Sequence, residues 1–198
     1  MTHRVLLAAL LLACIVATPA GDANSTMLPA DVVARLDRGE VVWLDRLPAG
    51  GRGGGRGGTA IAKVHASADA VWRVLVDYAG HRGLYPRVVA ADVIESDAVH
   101  ALVRYVVGVG PFSFGFHVDN FPDPGHRRLE WRLDRARRNE LFRDSWGYWQ
   151  IEPALDGVVL TYAMGAETVL PAFLTRGAER DGLVETLKAV RERAERRP

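Results

Sequence analysis

Cysteine is nearly absent from this chain. Cys14 is the only one in 198 residues, so everything after it lacks a disulfide, a thiolate zinc site and a thiol nucleophile. Lysine is almost as scarce: Lys63 and Lys188 are the only two, and arginine carries the positive charge. Charge of one sign is missing overall. A formal net charge of +1 argues against a dedicated nucleic-acid binder, whose domain is usually strongly basic. Metal-ligand spacing is missing too: His65, His81, His100, His117 and His126 are scattered, where zinc sites cluster their ligands. No G-x-S-x-G elbow occurs. The sequence therefore names no catalytic residue, metal or cofactor.

The positively charged "MTHR", the short apolar run Val5 to Ala13 and the small residues after it have the layout of a secretory signal peptide, with a run too short for a comfortable membrane span. Residues 1–20 are read as that peptide, cleaved after Ala20. A second option is "LLAC", which resembles a bacterial lipoprotein box and would leave a lipidated Cys14. Either way the expectation is export, as a periplasmic or secreted protein or one anchored through Cys14.

Residues 21–58 are read as an N-terminal extension. "LPADVVARLDRGE" has Pro29 in the first turn and Gly39 at the end of a helix, and Glu40 to Leu47 reads as a strand. The glycine run Gly50 to Gly58 contains G-x-G-x-x-G and two Arg-Gly-Gly units. A phosphate-binding glycine turn follows a strand and opens a helix. This run lies between two strands, and no Walker lysine follows it. It is read as a mobile connection.

Thr59 to Ala66 is expected as a strand. Ser67 then caps a helix carrying Val71, Trp72, Leu75 and Tyr78, broken near Gly80. From Val88 to about Ala166, alternating segments separated by turn residues predict an antiparallel meander of six or so strands. Phe173, Leu174, Ala178, Leu183, Leu187, Val190 and Ala194 mark a long last helix opened by Pro171. Gly177 and Gly182 interrupt it, allowing close approach to the sheet or leaving space beneath.

That order, with "ASADAVWRVLVDYAGHRGLYPRV", "YWQIEPALDGVVLTYAM" and "LPAFL", resembles the START-like (SRPBCC) superfamily over 59–197, nearest its polyketide-cyclase and coenzyme Q-binding group. The resemblance implies an α+β helix-grip fold: a curved antiparallel sheet wrapped around the C-terminal helix, with an apolar cavity between them for a lipid, a quinone or another hydrophobic molecule. Some relatives cyclise or dehydrate polyketides; many only carry a ligand. It also implies that Tyr85 and Pro86 border the cavity mouth.

An apolar cavity needs few polar groups to orient its ligand. Alternation turns Phe112, Phe114, Phe116, Leu129, Trp131, Trp149 and Ile151 inward, with Tyr162 and Met164 beside them. Ser145 and Gly147, small residues on the Trp149 face, would leave room there. Phe173, Leu174 and Gly177 on the last helix could form a lid. Each of these can equally be plain core. Arg104 or Tyr162 could orient an enolate-like substrate if there is chemistry. Arg127, Arg128, Arg132, Arg135, Arg137, Arg138 and Arg143 crowd one region. They form either a solvated face balanced by Glu130, Asp134, Glu140 and Asp144, or a docking face for anionic lipid headgroups through Arg137 and Arg138. The reading adopted is an exported carrier of a hydrophobic small molecule. A polyketide cyclase/dehydratase-type enzyme and a non-ligand interaction module remain as alternatives.

Overall fold

Strand alternation in this chain is strong enough to set two layers. In the computed structural model, which describes residues 28–51, 55–169 and 178–196, Ala60, Ala62 and Val64 join the main core. Ile61, between them, joins a separate cluster with Val32, Leu36 and Val42. Side chains of successive strand residues face opposite sides, so one strand serves both.

The elements are α1 (Ala30–Asp37), β1 (Val42–Leu44), β2 (Arg56–Val64), α2 (Ala68–Val76), a 3-10 turn (Tyr78–His81) and β3 (Val88–Ser96). After them come β4 (Ala101–Val109), β5 (Phe112–Asp123), β6 (Arg128–Leu133), β7 (Phe142–Ala154), β8 (Gly157–Thr168) and the C-terminal helix, here α3 (Ala178–Arg196). Eight antiparallel strands form one sheet in the order β1-β2-β8-β7-β6-β5-β4-β3. The six-strand meander is present as β3 to β8, with β1 and β2 added at one edge. Because β2 and β3 lie far apart in this order, the chain between them crosses the sheet, and α2 and the 3-10 turn make that crossing. Ser67 caps α2 as expected, accepting a hydrogen bond from the Ala70 N–H at 3.2 Å.

The α3 stripe is as its spacing foretold: Leu183, Leu187, Val190 and Ala194 are all buried in the main core, with Val71 and Leu75 of α2 and the inner face of the sheet. The extension contributes α1, which packs on the opposite face through Val32 and Leu36.

The glycine run does join two strands, but its tail is strand: β2 begins at Arg56, three residues before the expected start. The run also covers a tryptophan. A Cβ on Gly51, Gly55 or Gly165 would come within 2.0, 2.4 and 2.4 Å of the Trp146 indole. The indole N–H donates to the Pro48 carbonyl at 3.0 Å. These glycines therefore let backbone lie flat on a large ring.

Gly147 works the same way on the inner face, and the expectation that it leaves room is corrected. A Cβ there would meet the Ala163 carbonyl oxygen at 2.3 Å and the Trp131 indole at 2.6 Å, so the Trp131 ring fills the space. Gly147→Ala should destabilise the fold by about 1–3 kcal/mol through overpacking, read as a lower urea midpoint. An unchanged midpoint would mean that Trp131 swings aside freely.

Candidate functional site

Where α3 meets the sheet, the side chains do not fill the interior. A cavity of about 280 Å³ lies between them, lined by all strands from β4 to β8, by the 3-10 turn and the residues after it, and by α3. That is near the lower end for small-molecule sites. Gly182 is part of the reason: a Cβ there would meet nothing within 4 Å. Of the two roles open to this glycine, it leaves space.

Tyr85, Phe116, Trp131, Trp149 and Tyr162 all line the cavity, as do Pro86, Leu129, Ser145 and Met164. Phe112 and Phe114 do not, correcting that expectation. Phe112 stands at the tip of the β4–β5 hairpin and is 66% exposed. Phe114 lies in a surface recess with Ser113, Arg138, Asn139 and Glu140. Alternation fixes the side of a strand a residue faces; it does not say whether anything covers that side. Phe173, Leu174 and Gly177 fall outside the described residues. Arg104 pairs with Asp92 at 3.3 Å on the outer face and does not reach the cavity, also a correction. His117 points outward as expected, to the Arg138 carbonyl at 3.2 Å.

One cavity wall is a run of stacked rings. The His81 and Tyr85 centroids are 4.1 Å apart, Tyr85 and Trp149 6.4 Å, and Trp149 and Tyr162 3.9 Å with their planes 5° apart. Flat rings in this arrangement present a polarisable surface suited to another flat or extended apolar group.

The polar groups among them are neutral. Burial lowers the pKa of His81 to about 4, against smaller opposing effects of the Val74 and Leu75 carbonyls and of Asp77. Its Nδ1 lies 2.9 Å from the Tyr105 hydroxyl. Its Nε2 faces the end of α2 without reaching hydrogen-bond geometry. A proton on Nε2 suits those carbonyls, so Nδ1 accepts from the Tyr105 hydroxyl, whose oxygen lone pairs stay available. Burial also raises the phenols: Tyr78 to about 12, with Tyr85, Tyr105 and Tyr162 likewise raised above their ordinary value. Among the described residues, the Tyr162 hydroxyl has only the Met164 sulfur, at 3.5 Å, a weak acceptor. Among the described residues, the charged side chains lining the cavity are Arg87, Glu179 and Glu185.

His81, Tyr105 and Asn120 were missed as site residues by the sequence reading. Tyr105 and Asn120 had a signal, since each falls in the inward phase of a strand otherwise apolar at those positions. His81 had none, because a 3-10 turn leaves no periodicity to read.

A model of the family described as polyketide cyclase / dehydrase and lipid transport matches residues 59–196. The chain belongs to that family. No curated protein matches it. Among solved structures, it is similar to the Zhui aromatase/cyclase from Streptomyces, at 21% identity and TM-score 0.64, covering 73% of this chain and 96% of that one. It is also similar to a STAR-related lipid transfer protein from Xanthomonas axonopodis, at 20% identity and TM-score 0.60, covering 77% and 98%. A START superfamily protein from Mycobacterium smegmatis is similar at 16% identity and TM-score 0.58, covering 70% and 96%. At these identities the structures speak for the fold, which is helix-grip.

In the arginine-rich region, Arg128 pairs with Glu130 at 2.9 Å, Arg135 with Asp144, and Arg143 with Glu167 at 3.9 Å. Arg137 is held between Asp134 at 3.1 Å and Glu95 at 3.6 Å. Arg138 pairs with Glu140 at 3.4 Å while its side chain stays 88% exposed, and Arg132 is exposed with no ion pair among the described residues.

The His81 shift has a signed consequence. The folded pKa of about 4 lies below the ordinary 6.5, so between these values the unfolded chain takes up a proton that the folded one refuses. Stability from this group is complete above pH 6.5 and is lost as pH falls toward 4, on the order of 3 kcal/mol at most. His81→Gln should flatten that part of the urea-midpoint profile between pH 6.5 and 4. An equally steep profile would show that His81 is not the group responsible.

Proposed function

We propose that this protein is an exported carrier of a hydrophobic small molecule, a lipid, quinone or polyketide-like compound held between the sheet and α3. The observation that carries the reading is the cavity itself: open, walled by stacked rings and aliphatic side chains, with neutral polar groups inside and three charged side chains among its described lining. Such a lining binds apolar surface at little desolvation cost. The N-terminal pattern supports export.

A second reading, a cyclase/dehydratase-type enzyme, is favoured by one feature, the Tyr105–His81 pair. A phenol whose proton is held by an imidazole inside an apolar cavity keeps its oxygen lone pairs free to accept, and so to orient, the O–H of an enol-like substrate.

Native mass spectrometry of the mature protein from its host's periplasm, with organic extraction, tests both. A stoichiometric apolar adduct is expected, absent in Gly182→Leu, whose side chain would occupy the space beneath α3. Conversion of the bound compound on incubation would favour the enzyme. A clean apo mass, with no uptake of lipid or quinone analogues, would sink both. The intact mass also reads the N-terminus: a chain starting after Ala20 or at a lipidated Cys14 supports export, and an unprocessed Met1 overturns it.

The carrier reading also calls for a membrane to deliver to, and Arg138, with its largely exposed side chain, is the residue we assign to an anionic surface. Arg137, already held by two carboxylates, contributes less. Arg138→Glu should weaken binding to anionic vesicles at low salt by roughly tenfold, measured by co-sedimentation. Unchanged binding removes the docking face.

A further inference from the structure

The inner faces of β4 and β5 set out the cavity residues in order. The register pairs Ala101 with Asn120, Val103 with Val118, Tyr105 with Phe116 and Val109 with Phe112. Val109 and Arg87 lie at one end, beside the exposed hairpin tip. Eight residues along β4 from Val109, at the end marked by Ala101 and Asn120, the sheet has travelled roughly 27 Å. Asn120 lines the cavity and is only 4% exposed.

Asn120 is a costly residue to bury without partners. Its amide nitrogen has them: Nδ2 donates to the Ala101 carbonyl and to the Val118 carbonyl, each at 3.2 Å. These two bonds fix which way the amide points, since a flipped amide would set oxygen against oxygen. Both N–H groups being spent, the Oδ1 is left over. It accepts no hydrogen bond from the described residues, yet it is not sealed among the buried atoms that lack a partner, which are the Tyr78 hydroxyl and His81 Nε2. An unpaired oxygen with accessible surface, on a side chain that is 96% buried and lines a cavity, opens onto that cavity. Trp131, its cross-strand neighbour, and Leu129 line the same cavity, so the acceptor has a large apolar ring beside it.

We infer that Asn120 is a recognition site for a hydroxyl group on the inner end of the ligand. The ligand enters apolar skeleton and all, hydroxyl first, and its O–H donates to Asn120 Oδ1. An acceptor-only group in that position, such as a ketone or ether oxygen, faces the Asn120 oxygen lone pairs and is rejected, because it desolvates the amide oxygen without returning a hydrogen bond. The site thus sets both orientation and chemical class: alcohols and phenols over their ethers and ketones. This rests on the ligand-binding reading above and deepens it.

The test uses hydroxypyrene and methoxypyrene, which share a flat apolar skeleton and differ in the donor, with dissociation constants from quenching of tryptophan fluorescence. The native protein should bind hydroxypyrene about tenfold more tightly. Asn120→Leu, of similar volume, should lose that preference while keeping affinity for methoxypyrene. Equal binding of the two probes by the native protein overturns the inference without needing the variant. So does a preference that survives in Asn120→Leu, which would move the donor's partner to one of the phenols. If neither probe binds, the ligand-binding reading fails, and the hydroxyl site falls with it. Circular dichroism of Asn120→Leu separates lost selectivity from lost fold; should it not fold, Asn120→Asp, whose neutral carboxyl can donate to one of the two carbonyls and keep its other oxygen as the acceptor, must retain the preference at a pH where it is protonated.

Discussion

Everything in this molecule depends on how α3 meets the sheet. Toward its C-terminal half, Leu187, Val190 and Ala194 are fully buried in the main core, against strands whose inward residues include the small Ala60 and Ala62. Small side chains bring helix and strand close, and close packing supplies the dispersion and burial that hold one element to the other. Toward its N-terminal half, Gly182 faces open space, and the sheet opposite carries large rings. One helix thus packs closely through Leu183, Leu187, Val190 and Ala194 and leaves space at Gly182. The cavity is the volume between those two conditions, and a protein without disulfides can keep it because the close packing supplies the stability.

The tryptophans show the same economy. Trp146 lies on the outer face under a glycine-rich crossing, and Trp131 lies on the inner face over Gly147. In both cases a ring occupies the place where side chains would stand. The first fixes the extension to the sheet. The second shapes the wall next to Asn120. Rigid walls matter to a site of this kind, because a cavity that collapses when empty must be reopened by each ligand at a cost in affinity.

Much of this was legible from residues. The α3 stripe, the Ser67 cap and the six-strand meander follow from periodicity and turn chemistry, and they came out nearly as expected. The cavity lining was half legible. Trp131, Trp149 and Tyr162 lie where alternation puts them. Phe112 and Phe114 obey the same alternation and miss the cavity, because period two assigns a face and the hairpin runs past whatever covers that face. Gly147 was misread for a related reason: a small residue gives space, but only the neighbouring strand decides who takes it. His81 was out of reach altogether. Its place against Tyr85 and Tyr105 depends on how the chain crosses from β2 to β3, a long-range fact with no local signature.

The electrostatics then narrow what the cavity can do. Burial holds the phenols protonated and His81 neutral, so around physiological pH none of these groups carries a full charge. An ionised acid or base there would have to be desolvated together with an apolar ligand, at a cost of several kcal/mol unless paired. Neutral donors and acceptors avoid that cost and still impose direction. This suits holding a molecule in one orientation. It also makes each neutral polar group selective, because a single mismatched partner leaves a buried atom unsatisfied. Tyr105 is committed to His81, and the Asn120 nitrogen to two carbonyls. What remains for a ligand is a short set of oxygen atoms at fixed places along a flat aromatic wall.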